Sequence, residues 1–164
     1  MRGFALFVAG VGFGILLMQS VVAQNGAPND TGMKLNHVGI TVKNFDAAVA
    51  YYTKSMGFRE AFSYREPNGQ PVLTYLQISR DTFLEIQPAS AEQPAGFSHI
   101  GLEATNAKAT IARLNRMGVK VSDLTPSTHS GALLANTTDA EGIRSELLEL
   151  GPTSLQRKAM TAWK

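Results

Sequence analysis

With 44% hydrophobic residues among 164, the chain has enough apolar material for one ordinary domain, or for two small units sharing a core, and shows neither disorder nor low complexity. It contains no cysteine, which excludes a disulfide framework, a thiolate metal site and a cysteine nucleophile; any metal must be held by histidine and carboxylates. A formal net charge of +2 gives no argument for nucleic acid as a partner.

Residues 1–23 have the layout of a secretory signal peptide. Arg2 supplies the positive start, residues 4–18 form an apolar run interrupted only by glycines, and Val21-Val22-Ala23 offers small residues for cleavage after Ala23. The run is short for a membrane span and its glycines suit one poorly, so the expectation is a secreted or periplasmic protein without a stable membrane span after cleavage. Cleavage would remove Arg2 alone and leave a net charge of +1. Residues 24–32 are turn formers and polar groups, a flexible lead-in.

The domain is expected over residues 33–152. Residues 35–42 alternate and are rich in β-branched side chains, which predicts a strand carrying His37, Gly39 and Thr41 on one face. Asn44 then caps a helix over residues 45–56, with Val49, Tyr52 and Met56 at core spacing, and Gly57 closes it. Strands follow over 59–65, 72–79 and 82–87, separated by the turns Pro67-Asn68-Gly69 and Ser79-Arg80-Asp81. This is one βαβββ module, residues 33–88.

After a Pro-containing linker, the second module, residues 97–152, repeats the order. A strand over 98–104 leads through Asn106 to a helix over 107–117 and Gly118. Strands are expected over 119–124, 131–137 and 143–150, the last preceded by the turn Asp139-Ala140-Glu141-Gly142. Residues 153–164 form a tail with a helix over 155–163 capped by Ser154, packing on the domain or on a partner chain. The fold class is therefore α+β, two tandem βαβββ modules.

The repeat carries the chemistry. His37-Val38-Gly39-Ile40 returns as His99-Ile100-Gly101-Leu102 at an offset of 62, and Glu85 returns as Glu146 at an offset of 61. Glu85 interrupts an otherwise apolar strand, and a buried carboxylate needs a cation or a donor beside it. If first and last strands of each module are neighbours, His37, Glu85, His99 and Glu146 converge, and two neutral imidazoles with two carboxylates suit a divalent ion such as Zn, Ni, Co, Mn or Fe. Glu149 competes with Glu146 and faces the opposite side of the same strand; the repeat offset favours Glu146. His129 reads as a solvated loop histidine, and Tyr75 and Arg65 as possible lining residues of unassigned face.

The strand Leu35-Asn36-His37-Val38-Gly39-Ile40-Thr41-Val42, the segment Tyr51-Tyr52-Thr53-Lys54-Ser55-Met56-Gly57-Phe58, and Asp139-Ala140-Glu141-Gly142 before Glu146-Leu147 resemble the vicinal oxygen chelate superfamily. That superfamily includes glyoxalase I, bleomycin-resistance proteins and extradiol dioxygenases. The resemblance covers about residues 33–152 and implies a cup-shaped mixed sheet whose metal chelates two neighbouring substrate oxygens, in many members across a homodimer. By ligand type the set is most similar to that of glyoxalase I, a lactoylglutathione lyase, which implies lyase or isomerase chemistry with Glu146 as the base. Thr41 to Asp46 carries Lys43 and no arginine, unlike glyoxalase I. The alternatives within the resemblance are an extradiol-type dioxygenase and a bleomycin-resistance-like binding protein without turnover.

Overall fold

The computed structural model describes residues 31–164, and within them Gly32–Lys164 form one compact unit. The expected signal peptide and most of the lead-in lie outside the described residues. The first module consists of β1 (Met33–Val42), α1 (Phe45–Ala50) running on into a π-helical turn (Tyr51–Ser55), β2 (Arg59–Arg65), β3 (Pro71–Ser79) and β4 (Thr82–Pro88). The second consists of β5 (Gly96–Ala104), α2 (Ala107–Arg116), β6 (Thr125–Pro126), β7 (Leu133–Thr138) and β8 (Arg144–Glu149), and α3 (Leu155–Thr161) follows.

All eight strands share one sheet in the order β2-β3-β4-β1-β5-β8-β7-β6. Each module brings its first and last strands side by side and parallel, β1 with β4 and β5 with β8, and the modules join where β1 pairs antiparallel with β5. The four middle strands are thus the four that carry the repeated histidines and glutamates.

Local chemistry explains the helices. Asn44 and Asn106 cap their first turns by accepting from Ala47 N at 3.0 Å and Ala109 N at 2.8 Å. Both helices end before glycines with positive φ, Gly57 at 76° and Gly118 at 83°, a conformation that residues with a Cβ rarely adopt.

Period-2 alternation sorts the side chains onto two faces. On one face, Leu76, Leu84 and Ile86 pack with Phe45, Val49 and Tyr52 under α1. On the other, Leu73, Tyr75 and Phe83 of the first module and Leu148 of the second meet Ala159 and Met160 of α3 in a single cluster. Strands from both modules share that cluster, so this is the face over which the modules and α3 pack together.

Four expectations need correction. The first helix does not stay a regular α-helix to its end: its last turn widens to a π-helix, Thr53 Oγ1 donates back to Val49 O at 2.8 Å, and Met56, expected in the core, is 51% exposed. Residues 119–124 form no strand. Ser122 meets Asn136 through one backbone bond and one side-chain bond, both 2.8 Å, while the paired strand is the two-residue β6, which Pro126 cuts short by lacking an N–H. The helix after the domain stops at Thr161 rather than residue 163. Its Ser154 makes no cap hydrogen bond, because its hydroxyl donates to Gly151 O at 2.8 Å.

Candidate metal centre

The antiparallel seam between β1 and β5 builds the centre. In its register His37 pairs with Gly101 and Gly39 with His99, so each imidazole lies over a glycine of the opposite strand. A Cβ at Gly39 would overlap the His99 ring, and one at Gly101 would overlap the His37 ring. The repeated His-x-Gly pattern therefore supplies both the ligand and the space for its counterpart. Glu85 arrives from β4, where its partner across the parallel ladder is Gly39.

His37 Nε2 and His99 Nε2 are 2.9 Å apart, and Glu85 Oε2 lies 3.3 Å from the first and 3.1 Å from the second. All three side chains are buried, and one ligand atom from each falls within 4.8 Å of the others. Two donors each about 2.0–2.2 Å from a shared divalent ion are themselves about 3 Å apart, so the donor set fits a divalent metal in both chemistry and spacing. Glu146, the fourth residue, stands farther out: Oε1 is 3.7 Å from His37 Nε2, and Oε2 is 3.8 Å from Arg144.

The two glutamates are held differently. Glu85 Oε2 accepts from the Tyr75 hydroxyl at 2.9 Å and Oε1 from Gln87 Nε2 at 2.7 Å, so both of its oxygens are tied. Burial alone would raise its pKa; the two imidazoles beside it outweigh burial and hold it well below the usual carboxylate range. Glu146 has no such ties. Burial, reinforced by the charge of Glu85, raises its pKa against the opposing effect of His99 and Arg144. Burial and the same two carboxylates push the Tyr75 hydroxyl up, so it stays a protonated donor.

The far nitrogens of the imidazoles have unlike partners. Asn36 turns its amide nitrogen toward Glu103 at 3.5 Å and its oxygen toward His37 Nδ1 at 3.1 Å, which places the proton on Nδ1 and leaves the Nε2 lone pair facing the centre. His99 Nδ1 lies 3.0 Å from Ser98 Oγ and 2.6 Å from Arg144 Nη2. Arginine only donates, so in this arrangement Nδ1 accepts and Nε2 carries the proton.

A cavity of about 180 Å³ opens beside the triad, lined by Tyr75, Glu85, Gln87, His129, Ser130 and Glu146 among others. His129 is half-buried there, its ring centroid 4.4 Å from that of Tyr64, rather than free in solvent. Arg65 pairs with Asp46 at 2.7 Å and stands over Phe45, on the exposed side away from the triad. Glu149 accepts from Ala107 N at 2.7 Å and so serves the start of α2. Asn36, Ser98, Gln87 and Arg144 escaped the sequence reading, although signals existed. A polar residue precedes each repeated histidine, and Gln87 and Arg144 lie two positions from Glu85 and Glu146, on the same face of their strands.

A family model described as the glyoxalase/bleomycin resistance protein/dioxygenase superfamily matches residues 18–133. No curated protein matches by sequence. Among solved structures, a methylmalonyl-CoA epimerase from Mycobacterium tuberculosis aligns with a TM-score of 0.63 at 18% identity, over 79% of this chain and 96% of its own. A variant of the Streptomyces coelicolor methylmalonyl-CoA epimerase in complex with 2-nitronate-propionyl-CoA gives 0.62 at 19%, over 74% and 96%. A hypothetical protein from Bacillus halodurans gives 0.61 at 22%, over 73% and 95%. At these identities the likeness is one of fold.

Proposed function

From the premise that the chain belongs to the glyoxalase/bleomycin resistance protein/dioxygenase superfamily, we propose that it is a divalent-metal-dependent lyase or isomerase of the glyoxalase I type, moving a proton on a small substrate with two adjacent oxygens. His37, Glu85 and His99 would hold the metal, with Glu146 able to join them. Bound there, the metal supplies Lewis-acid polarisation of the substrate oxygens and lowers the cost of negative charge on them.

The observation that carries the reading is the asymmetry of the two carboxylates. Glu85 is fixed at both oxygens and stays ionised, as a permanent ligand must. Glu146 is untied, lines the cavity and has a raised pKa, as suits a group that takes a proton from a carbon beside a polarised carbonyl and returns it to the neighbouring one. Tyr75 and Gln87 keep Glu85 from competing for that proton. Leu73 and Leu134 give the cavity an apolar side that limits water.

The same reading includes export, with residues 1–23 cleaved after Ala23 into a secreted or periplasmic protein, and a homodimer in solution. All four candidate residues lie on one chain, so dimerisation is not needed to assemble them.

The test begins with the chain from Gln24 onward, purified without chelator and analysed for Zn, Ni, Co, Mn and Fe. The metal-loaded protein is then incubated with small dicarbonyls, their hydroxy acids and hemithioacetals in heavy water, and exchange at the carbon beside the carbonyl is followed by NMR. The expected pattern is that Glu85→Gln loses metal, whereas Glu146→Gln keeps it and loses exchange. A protein that takes up none of these metals overturns the reading. Metal without exchange points to a binding cup, and oxygen consumption with a catechol points to a dioxygenase.

A further inference from the structure

The sheet face that carries the triad is partly covered by the last described helix. Ala159 and Met160 of α3 pack into the cluster formed by Leu73, Tyr75, Phe83 and Leu148, and Tyr75 of that cluster touches the triad. Gln156, 1% exposed, lies against Tyr75, the residue that ties Glu85. The helix is fastened along its length rather than laid on. Leu155 N donates to Ser130 O at 2.9 Å, Arg157 pairs with Glu103 at 2.7 Å, and Arg59 donates to Ala159 O and Ala162 O, each at 3.2 Å, with its guanidinium 5.2 Å over the Trp163 ring.

The space left beside the triad, about 180 Å³, is smaller than the roughly 300–1,000 Å³ of pockets that take drug-sized ligands. Leu73, Tyr75 and Leu134 line this space and also belong to, or pack against, the cluster that α3 completes. The helix is thus one wall of the cavity at second remove.

Resting on the metal-dependent reading above, we propose that α3 sets substrate size. The site takes a small compound consisting of little more than its two chelating oxygens and a short carbon skeleton, and it excludes carriers such as a thioester or a glutathione conjugate. Gln156 and Met160 are the specificity-determining residues. Gln156 Oε1 is the only buried side-chain polar atom among the described residues without a hydrogen-bond partner. The Gln156 amide is a hydrogen-bond partner of the Tyr75 hydroxyl, so polar contact and shape together hold it against that ring.

The test uses two probes with the same chelating head, acetohydroxamate and 4-phenylbenzohydroxamate, titrated into cobalt-loaded protein and followed by the visible spectrum of the metal. Wild type should bind the biphenyl compound at least about tenfold more weakly than acetohydroxamate. In Q156A/M160A, and in a chain ending at Thr153, the biphenyl compound should gain about tenfold while acetohydroxamate changes less than about twofold. Cobalt content and circular dichroism establish that each variant retains the centre, and the double variant keeps the question open to decision should the shortened chain not fold. Equal binding of both probes by wild type overturns the proposal, as does a metal-loaded double variant with no gain. A wild type that binds no cobalt overturns the metal-dependent reading and takes this inference with it, a failure recognisable before any probe is added.

Discussion

Gly39 stands opposite His99 across the seam between β1 and β5, and the space where its side chain would be is filled by the imidazole. Gly101 stands to His37 in the same relation. The two glycines are consequently part of the centre, though neither has a side chain to offer a metal.

Gly39→Ala or Gly101→Ala should displace the facing ring and lower metal affinity by at least about tenfold, with a stability loss of about 1–3 kcal/mol from overpacking a closed site. Cobalt titration and chemical denaturation of each variant measure the two effects. Unchanged affinity in both would refute the spatial role assigned to them.

Tyr75→Phe removes the hydroxyl that donates to Glu85 Oε2 and leaves the ring packing against Phe62 and Phe83 in place. Loss of an outer partner of this kind costs about 10–100-fold in metal affinity. Competition against a chelator of known affinity gives the number, and a change below about twofold would count against the hydroxyl as a positioning group.

Arg144 and a metal make opposite demands on His99. The guanidinium needs Nδ1 as an acceptor, which puts the proton on Nε2; a metal needs the Nε2 lone pair and therefore the proton on Nδ1, where Ser98 Oγ can accept it. Arg144→Met should therefore tighten zinc or cobalt binding by about tenfold or more, since it also removes a nearby positive charge, and Ser98→Ala should weaken it. Weaker binding in Arg144→Met would show that the arginine supports the centre instead of opposing it.

The two carboxylates predict opposite responses of metal-free stability to pH. Glu85 has a depressed pKa, so its contribution is present above the ordinary carboxylate range and is lost as pH falls through the depressed value. Glu146 has a raised pKa, so the fold prefers it protonated; its contribution is present in acid and is lost as pH rises through the raised value. With chelator present, Glu146→Gln should raise the melting temperature at neutral pH and leave it nearly unchanged near pH 4, while Glu85→Gln should lower it at neutral pH. Thermal melts at the two pH values decide the matter, and equal shifts for Glu146→Gln at both would remove burial of its charge as the cause.

The architecture was legible because it repeats. The matched offsets of His37 with His99 and Glu85 with Glu146 identify two copies of one module, and period-2 alternation places each pair on the same face. What stayed hidden depends on contacts made far along the chain. Nothing local to residues 155–161 says that Gln156 will lie against Tyr75, and nothing local to Arg144 says that it will meet a histidine 45 positions earlier. The missing strand at residues 119–124 is a different failure: Val119 and Val121 have strand propensity, but Ser122 and Pro126 decide the hydrogen bonding there.

The seam between β1 and β5 has one more implication. His37 faces Gly101 and Gly39 faces His99, so each strand presents histidine then glycine to a partner presenting glycine then histidine, and the edge of one module complements a copy of itself. A polypeptide of half this length could lay its first strand against the same strand of a twin and assemble two histidines and two glutamates at the junction. The molecule is built like a symmetric pair whose halves are joined by the linker after β4, and Arg144, Tyr75 and α3, present on one side only, mark where the halves differ.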